Sequence, residues 1–324
     1  MSAAPLSLAV AFAGGVFGAA LGGLPVFVLC GLAVIAGTGV LAATGDPGFL
    51  HLIAWGPFLG PHAAFGGAAA AAAFAARRGR LESGRDVLSP LMGLNSPGVL
   101  IVGGLFGSLG HILLAAFYAV PDPGAGEWTN RMALVIVLTG VAARLLFGRA
   151  GLAGRPPAGR RWRPENERDA LPWHARPGQV LIIGLAFALP SAWLALAMPA
   201  ARGMLFGFAA VSLVFLQFGR KVPVTHHVIL AAELFAAGTG SVWWGLAAGL
   251  TAAWLAELFA CLFLIHADTH IDPPAMALAG IWSLYPLLRT AGAFHPGAWL
   301  PAVTAFLIGV GGLALFTRLR ISRA

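Results

Sequence analysis

The chain has 324 residues, 59% of them hydrophobic and 10% charged, with a mean hydropathy of +0.84. An ordinary soluble domain carries about 25% charged residues, and a soluble protein of this length has too little interior to hide so much apolar surface. The formal net charge of +8 belongs to a few loops and not to a nucleic-acid surface. The apolar runs are continuous and rich in Ala, Leu and Gly, which excludes the alternating pattern of a β-barrel.

Runs of about 18 or more apolar residues read as membrane spans. Eleven follow one another along the chain: 7–24, 26–44, 58–77, 97–120, 131–148, 178–199, 203–219, 223–238, 241–265, 274–290 and 298–317. The expected fold is therefore all-α, a polytopic transmembrane helical bundle. The first run has no basic leader and a second follows at once, so it reads as a retained helix and not a signal peptide. Cys30 and Cys261 both fall inside spans and are expected to be small core residues.

Basic residues orient the chain. Arg77, Arg78, Arg80 and Arg85 follow the third span, Arg144, Arg149 and a run from Arg155 to Arg176 follow the fifth, Arg220 and Lys221 the seventh, and Arg318, Arg320 and Arg323 the last. Cytoplasmic loops are enriched in Lys and Arg, and every cluster follows an odd-numbered span. The expectation is an N-terminus outside and a C-terminus inside a prokaryotic cytoplasmic (inner) membrane. The basic rim would then face anionic headgroups.

Residues 149–177, rich in Pro, Gly and Arg, read as a cytoplasmic linker. The linker divides residues 1–148, five spans, from a connecting span at 178–199 and a second set of five at 200–324. Leu24-Pro25-Val26 resembles Val222-Pro223-Val224, and Ser89-Pro90-Leu91-Met92 resembles Pro273-Pro274-Ala275-Met276. Six spans separate these positions, so the expected duplication is parallel, five plus one plus five.

Ionisable groups inside spans each cost ~2.5–3.5 kcal/mol at the bilayer centre, so they point to function. In chain order, His62 and His111 lie in the third and fourth spans, His226, His227 and Glu233 in the eighth, and Glu257 in the ninth. His226 and Glu233 are seven residues apart, two turns along one helical face. Glu257 and Glu233 are the expected binding or coupling carboxylates, with His226 and His227 as titratable partners. For His111 and His62 a packing role is the simpler expectation.

The densest polar motif is His266-Ala-Asp268-Thr-His270-Ile-Asp272-Pro273-Pro274. Asp272 before Pro273 has the form of a helix N-cap. His266, Asp268 and His270 are left as a vestibule, or as a metal set of the kind that suits zinc, iron or manganese. Asp86, in Gly84-Arg85-Asp86, is expected either to pair with a neighbouring arginine or to face the 266–272 segment. Glycines spaced by four, as in Gly14, Gly18 and Gly22, allow close helix packing. No nucleotide-binding loop and no familiar hydrolase signature is present, so no residue is assigned a catalytic role and no cofactor is implied.

The segments GPHAAFGG (60–67), LMGLNSPGVLIVGG (91–104), VTHH (224–227) and DTHIDPP (268–274) together resemble an uncharacterised prokaryotic family of multi-pass, permease-like membrane proteins. That resemblance implies a polytopic fold and no particular substrate. The expected function is a transporter or channel for a small solute or ion, proton- or cation-coupled through the intramembrane carboxylates. The alternatives are an intramembrane metal-dependent enzyme built on His266, Asp268 and His270, and a non-catalytic subunit of a membrane complex. The expected partners are the lipid bilayer and the solute, and not nucleic acid, with a homo-oligomer left open.

Overall fold

A computed structural model describes residues 4–122, 124, 126–164 and 174–321. Much of the basic linker (165–173) and Arg323, both used above to orient the chain, therefore lie outside the described residues. The described residues form twelve α-helices and no strand. They are α1 (Pro5–Leu21), α2 (Gly23–Thr44), α3 (Ala64–Arg77), α4 (Pro97–Tyr118), α5 (Arg131–Phe147) and α6 (Pro177–Ala197). The rest are α7 (Met204–Ser212), α8 (Val214–Gln217), α9 (His226–Thr239), α10 (Val242–Phe263), α11 (Pro273–Thr290) and α12 (Trp299–Ile321).

Proline opens α1, α4, α6 and α11, where its missing N–H costs nothing. Left-handed Gly45 and Gly240 close α2 and α9, as a glycine beyond a helix end commonly does. Among the described residues six helical stretches are long and apolar enough to cross a membrane: α2, α4, α6, the 199–217 stretch, α10 and α12. Large apolar residues stand exposed along them, among them Ile182, Phe208, Phe306 and Leu307.

Each of the eleven predicted spans coincides with helix, with three changes of shape. The third begins as turns, and its helix starts only at Ala64, after a π-helical turn at Leu50–Ala54. The seventh is broken between α7 and α8. The eighth starts only at His226, after an irregular segment. As a result α3 and α9 have 14 residues each, about 21 Å of helix at 1.5 Å per residue.

The packing has the same pattern in both halves. α1 lies against α3 and α4, α3 against α4 and α5, and α2 against α3; likewise α6 lies against α9 and α10, α9 against α10 and α11, and α7 against α9. The halves meet where α2 packs on α7 and α5 on α11, and α12 covers α10 and α6. In the expected five-plus-one-plus-five register the 178–199 helix only connects. The proline matches behind that register play unlike roles. Pro25 sits in the first turn of α2, whereas Pro223 sits in the irregular segment before α9.

The described members of the four basic clusters gather at one end of the bundle. Arg85 there bonds to the carbonyls of Leu264 and Ile265, Gln217 to that of Leu88, and Arg320 to those of Trp162 and Ala175. The glycine pattern in α1 does serve close packing. A Cβ on Gly14 or Gly18 would strike the carbonyl oxygen of Phe58 or Ala64, so α1 presses directly on the segment that starts α3.

Candidate functional site

Between the two halves lies a cavity of about 1080 Å³. It follows α5 and α11, from Asn130 and Arg131 at one end to Phe147 and Arg149 at the basic end. The starts of α3 (Pro61, Phe65) and α9 (His226, His227) also line it. Its middle is aromatic: the Phe27 ring lies 5.0 Å from His226, 5.7 Å from Phe206 and 6.1 Å from Phe65, and Trp55 lies 5.3 Å from Phe206.

Several helices point their N-termini at this space, and they are finished differently. On α5 the Asn130 side chain accepts from the Ala133 N–H at 2.9 Å, and on α11 Asp272 accepts from the Ala275 N–H at 2.8 Å. The N-caps of α3 and α9, Ala63 and Thr225, make no side-chain cap. The Thr225 hydroxyl and the Nδ1 atoms of His226 and His227 are buried without a hydrogen-bond partner. All three residues are at most 8% exposed.

The two intramembrane carboxylates do not share a site. Glu257 lines the cavity near the basic end and forms an ion pair with Arg320 of α12, and the Cys261 thiol donates to it at 3.6 Å. Glu233 lies on a separate, smaller cavity with Arg202 and Trp282, and accepts from the Gly203 N–H at 3.1 Å. Gly203 is the N-cap of α7, so Glu233 places its carboxylate at a helix N-terminus, a favourable position for negative charge. The seven-residue spacing from His226 to Glu233 holds on the helix, yet their side chains serve different cavities.

The polar loop before α11 also disperses its candidates. His266 Nε2 meets the carbonyls of Arg160 and Arg161 at 3.1 and 3.2 Å. Asp268 accepts from the N–H groups of Arg149 and Ala150 at 2.5 and 3.2 Å. His270 turns to Asp272 at 3.2 Å. Among the described residues no group of His, Cys, Asp or Glu could hold a metal ion, because each side chain is drawn to a different neighbour. The N-cap reading of Asp272 is what the structure has.

Asp86 does not take an arginine; its Oδ1 accepts from the N–H groups of Leu88 and Ser89, both at 2.9 Å, and folds its own loop. That loop does meet the 266–272 segment, through a bridge between Gly84 and Thr269. His62 and His111 pair with each other, Nε2 to Nδ1 at 3.4 Å, outside the cavity wall.

Three residues that matter here were not among the sequence candidates. Arg144, 2% exposed, bonds Thr269 twice, at 2.8 and 2.6 Å, and the carbonyls of Leu152 and Phe263 at 2.7 and 2.6 Å. Arg131, at the other end of α5, pairs with Asp122 at 2.5 Å and Glu127 at 3.6 Å and lies 4.9 Å over the Tyr118 ring. Its hydrogen bond holds the Asp122 carboxyl below its usual range, while burial pushes that of Glu127 up. His174, in the linker against the cavity, is pushed down to about 4 by burial. The signal for the two arginines was available, since both fall inside the predicted 131–148 span, where a cation costs as much as a carboxylate.

The chain belongs to a family described as a family of unknown function (DUF7973), whose model matches it twice, over residues 2–160 and 158–303. No curated protein and no solved structure matches it.

Proposed function

We propose that the chain is an integral membrane transporter or channel, and that the central cavity is the path of a small solute. The observation that carries this reading is that one cavity runs along α5 and α11 from Arg131 to the basic end. A single space reaching both ends of a bundle of apolar helices, aromatic at its middle and charged toward its ends, is what passage requires, and a scaffold has no use for it.

The internal arrangement supports the same reading. The paired neighbour pattern of the helices and the twofold match of the family model, whose second copy stops at 303 just inside α12, both favour a duplication. Its register is α1 with α6, α2 with α7, α3 with α9, α4 with α10 and α5 with α11, leaving α12 as an addition. Five crossings, an odd number, separate equivalent helices, so this duplication is inverted and not parallel. α1 ends at Gly22 beside Leu88, in the same layer as Arg85 and Ile265, while α6 starts in that layer after Ala175. Transporters use inverted repeats of this kind, with sites at the interface of the repeats near the midplane. With eleven crossings and the basic end cytoplasmic, the N-terminus is outside and the C-terminus inside.

Glu257 and Glu233 act as structural carboxylates in this reading, each engaged by a partner from another element. A proteoliposome uptake screen over ions and small organic solutes, with and without a pH gradient, tests the proposal. The parent protein is expected to carry at least one solute. Leu230→Trp, which fills the cavity wall, is expected to stop that flux while the protein stays folded. Folded, reconstituted protein that moves nothing in the screen, or flux unaltered in Leu230→Trp, would overturn it.

A further inference from the structure

The smaller cavity, of about 360 Å³, holds two opposite charges that do not meet. Leu230, Glu233, Leu234 and Ala237 face it from one stripe of α9, Trp282 from α11 and Arg202 from the turn before α7. Leu230 and Trp282 also line the central cavity, so they stand between the two spaces. α6 leaves the basic layer after Ala175 and runs 21 residues, about 31 Å, so Arg202 lies toward the other end of the bundle. Glu233 stands about 9 Å inside the Gly240 turn that closes α9 and is 5% exposed. Its two oxygens accept from the Gly203 N–H at 3.2 and 3.1 Å, a bond that places the carboxylate but brings no full charge. Arg202 turns its Nε to the Ala195 carbonyl at 3.4 Å, and among the described residues it forms no ion pair with Glu233. A buried carboxylate among apolar helices is costly without a counter-charge, yet the cation on the same wall is held aside.

We propose that the smaller cavity binds an aliphatic α-amino acid as its zwitterion, the ammonium on Glu233, the carboxylate on Arg202 and the side chain against Leu230, Leu234 and Trp282. In the solute path Glu233 has only a structural task; this inference goes beyond that reading and does not need it. Ammonium to carboxylate and guanidinium to carboxylate are both charge-assisted contacts, and the planar fork of Arg suits a carboxylate. An amine alone would set a second cation beside Arg202, and an acid alone a second anion beside Glu233. A molecule that carries both charges is matched at each end, and it adds no net charge to the site. The volume lies at the low end of the ~300–1,000 Å³ of small-molecule sites, which suits one amino acid and not a peptide. Gly238 helps to keep the space open from the far side of α9, because a Cβ there would strike the Tyr285 hydroxyl and push the two helices apart.

The test uses the purified full chain in detergent, with leucine and valine as probes. The controls are 3-methylbutylamine, which is leucine without its carboxylate, and 4-methylpentanoate, which is leucine without its ammonium. Thermal unfolding and tryptophan fluorescence are the readouts, since Trp282 is on the wall. Both amino acids are expected to raise Tm and to change fluorescence saturably, and the two controls are not. Glu233→Gln keeps an acceptor for the Gly203 N–H and loses the charge; Arg202→Gln, at an exposed residue, loses the other charge. Each is expected to weaken leucine binding about tenfold or more, as loss of a hydrogen bond to a charged group does. Ala237→Phe fills the cavity with both charges in place and is expected to abolish binding. No saturable binding of either amino acid overturns the proposal, as does parent-like affinity in any of these variants that folds. The amine binding as tightly as leucine overturns it in favour of a plain cation site, and the acid doing so in favour of an anion site on Arg202. Amino-acid binding without any uptake would sink the transport reading and leave this site standing. Uptake of other solutes with no amino-acid binding would do the reverse.

Discussion

Two buried arginines near opposite ends of one helix beside the cavity are partnered in different ways. Arg144 at the end of α5 is 2% exposed and bonds to oxygens of Leu152, Phe263 and Thr269, none of them charged. Arg131 at its start is 5% exposed, but its partners Asp122 and Glu127 have side chains 40% and 49% exposed. The first guanidinium is spent on tying the 148–154 and 263–269 segments to the bundle. The second holds acids that water also solvates, so its bonds exchange at little cost. Arg144 is therefore a buried tie at the basic end, and the Arg131 pairs are a solvent-exposed latch between α5 and the loop before it.

That contrast is sharpest at Arg144. Arg144→Met strands several buried oxygens, each worth ~1–3 kcal/mol when unpaired. Thermal unfolding in detergent is expected to show a loss of about 3–5 kcal/mol, or no folded protein at all. A variant as stable as the parent would break the contrast.

The ion pair that pins α12 at the same end ranks next. Arg320→Met leaves the Glu257 carboxylate buried alone and is expected to cost about 3 kcal/mol, with most of it regained in the double variant with Glu257→Leu. A double variant no better than the single one would mean that Arg320 acts through its carbonyl bonds instead.

At the latch the effect on stability is expected to be small and the effect on access large. Asp122→Asn with Glu127→Gln should change stability by at most ~1 kcal/mol, as exposed ion pairs do. The modification rate of Met132→Cys, on the cavity wall, by a water-soluble thiol reagent should rise several-fold. Cys30 and Cys261 are buried and give little background. An unchanged rate would show that Arg131 does not control this mouth.

Much of the fold could be read from the order of residues because a helix in an apolar setting is a local object. Apolar runs, the prolines before α1, α4, α6 and α11, and the Asp272 cap all act within one turn of where they stand. The basic clusters were equally legible, and they gather at one end as their spacing implied. The candidate residues fared unevenly. His226 and His227 do line the cavity, and Asp86 and His270 do come to it through paired loops. Glu257 and Glu233, in adjacent predicted spans, separate because Arg320 lies 63 residues beyond one and Gly203 lies 30 residues before the other. Arg144 was read as a mark of orientation, and its four bonds reach as far as 125 residues along the chain.

By itself, then, the sequence determined that the chain is an all-helical bundle of apolar helices, where most of those helices run, and which end of the bundle is basic. Only the tertiary structure decided which helices pack together, which buried charges are already paired, and that α9 begins without a side-chain cap. The division has a physical cause. Helix propensity, capping and hydropathy are settled within a few residues, whereas the partner of a buried polar group is whatever distant segment the packing brings within 3 Å or so.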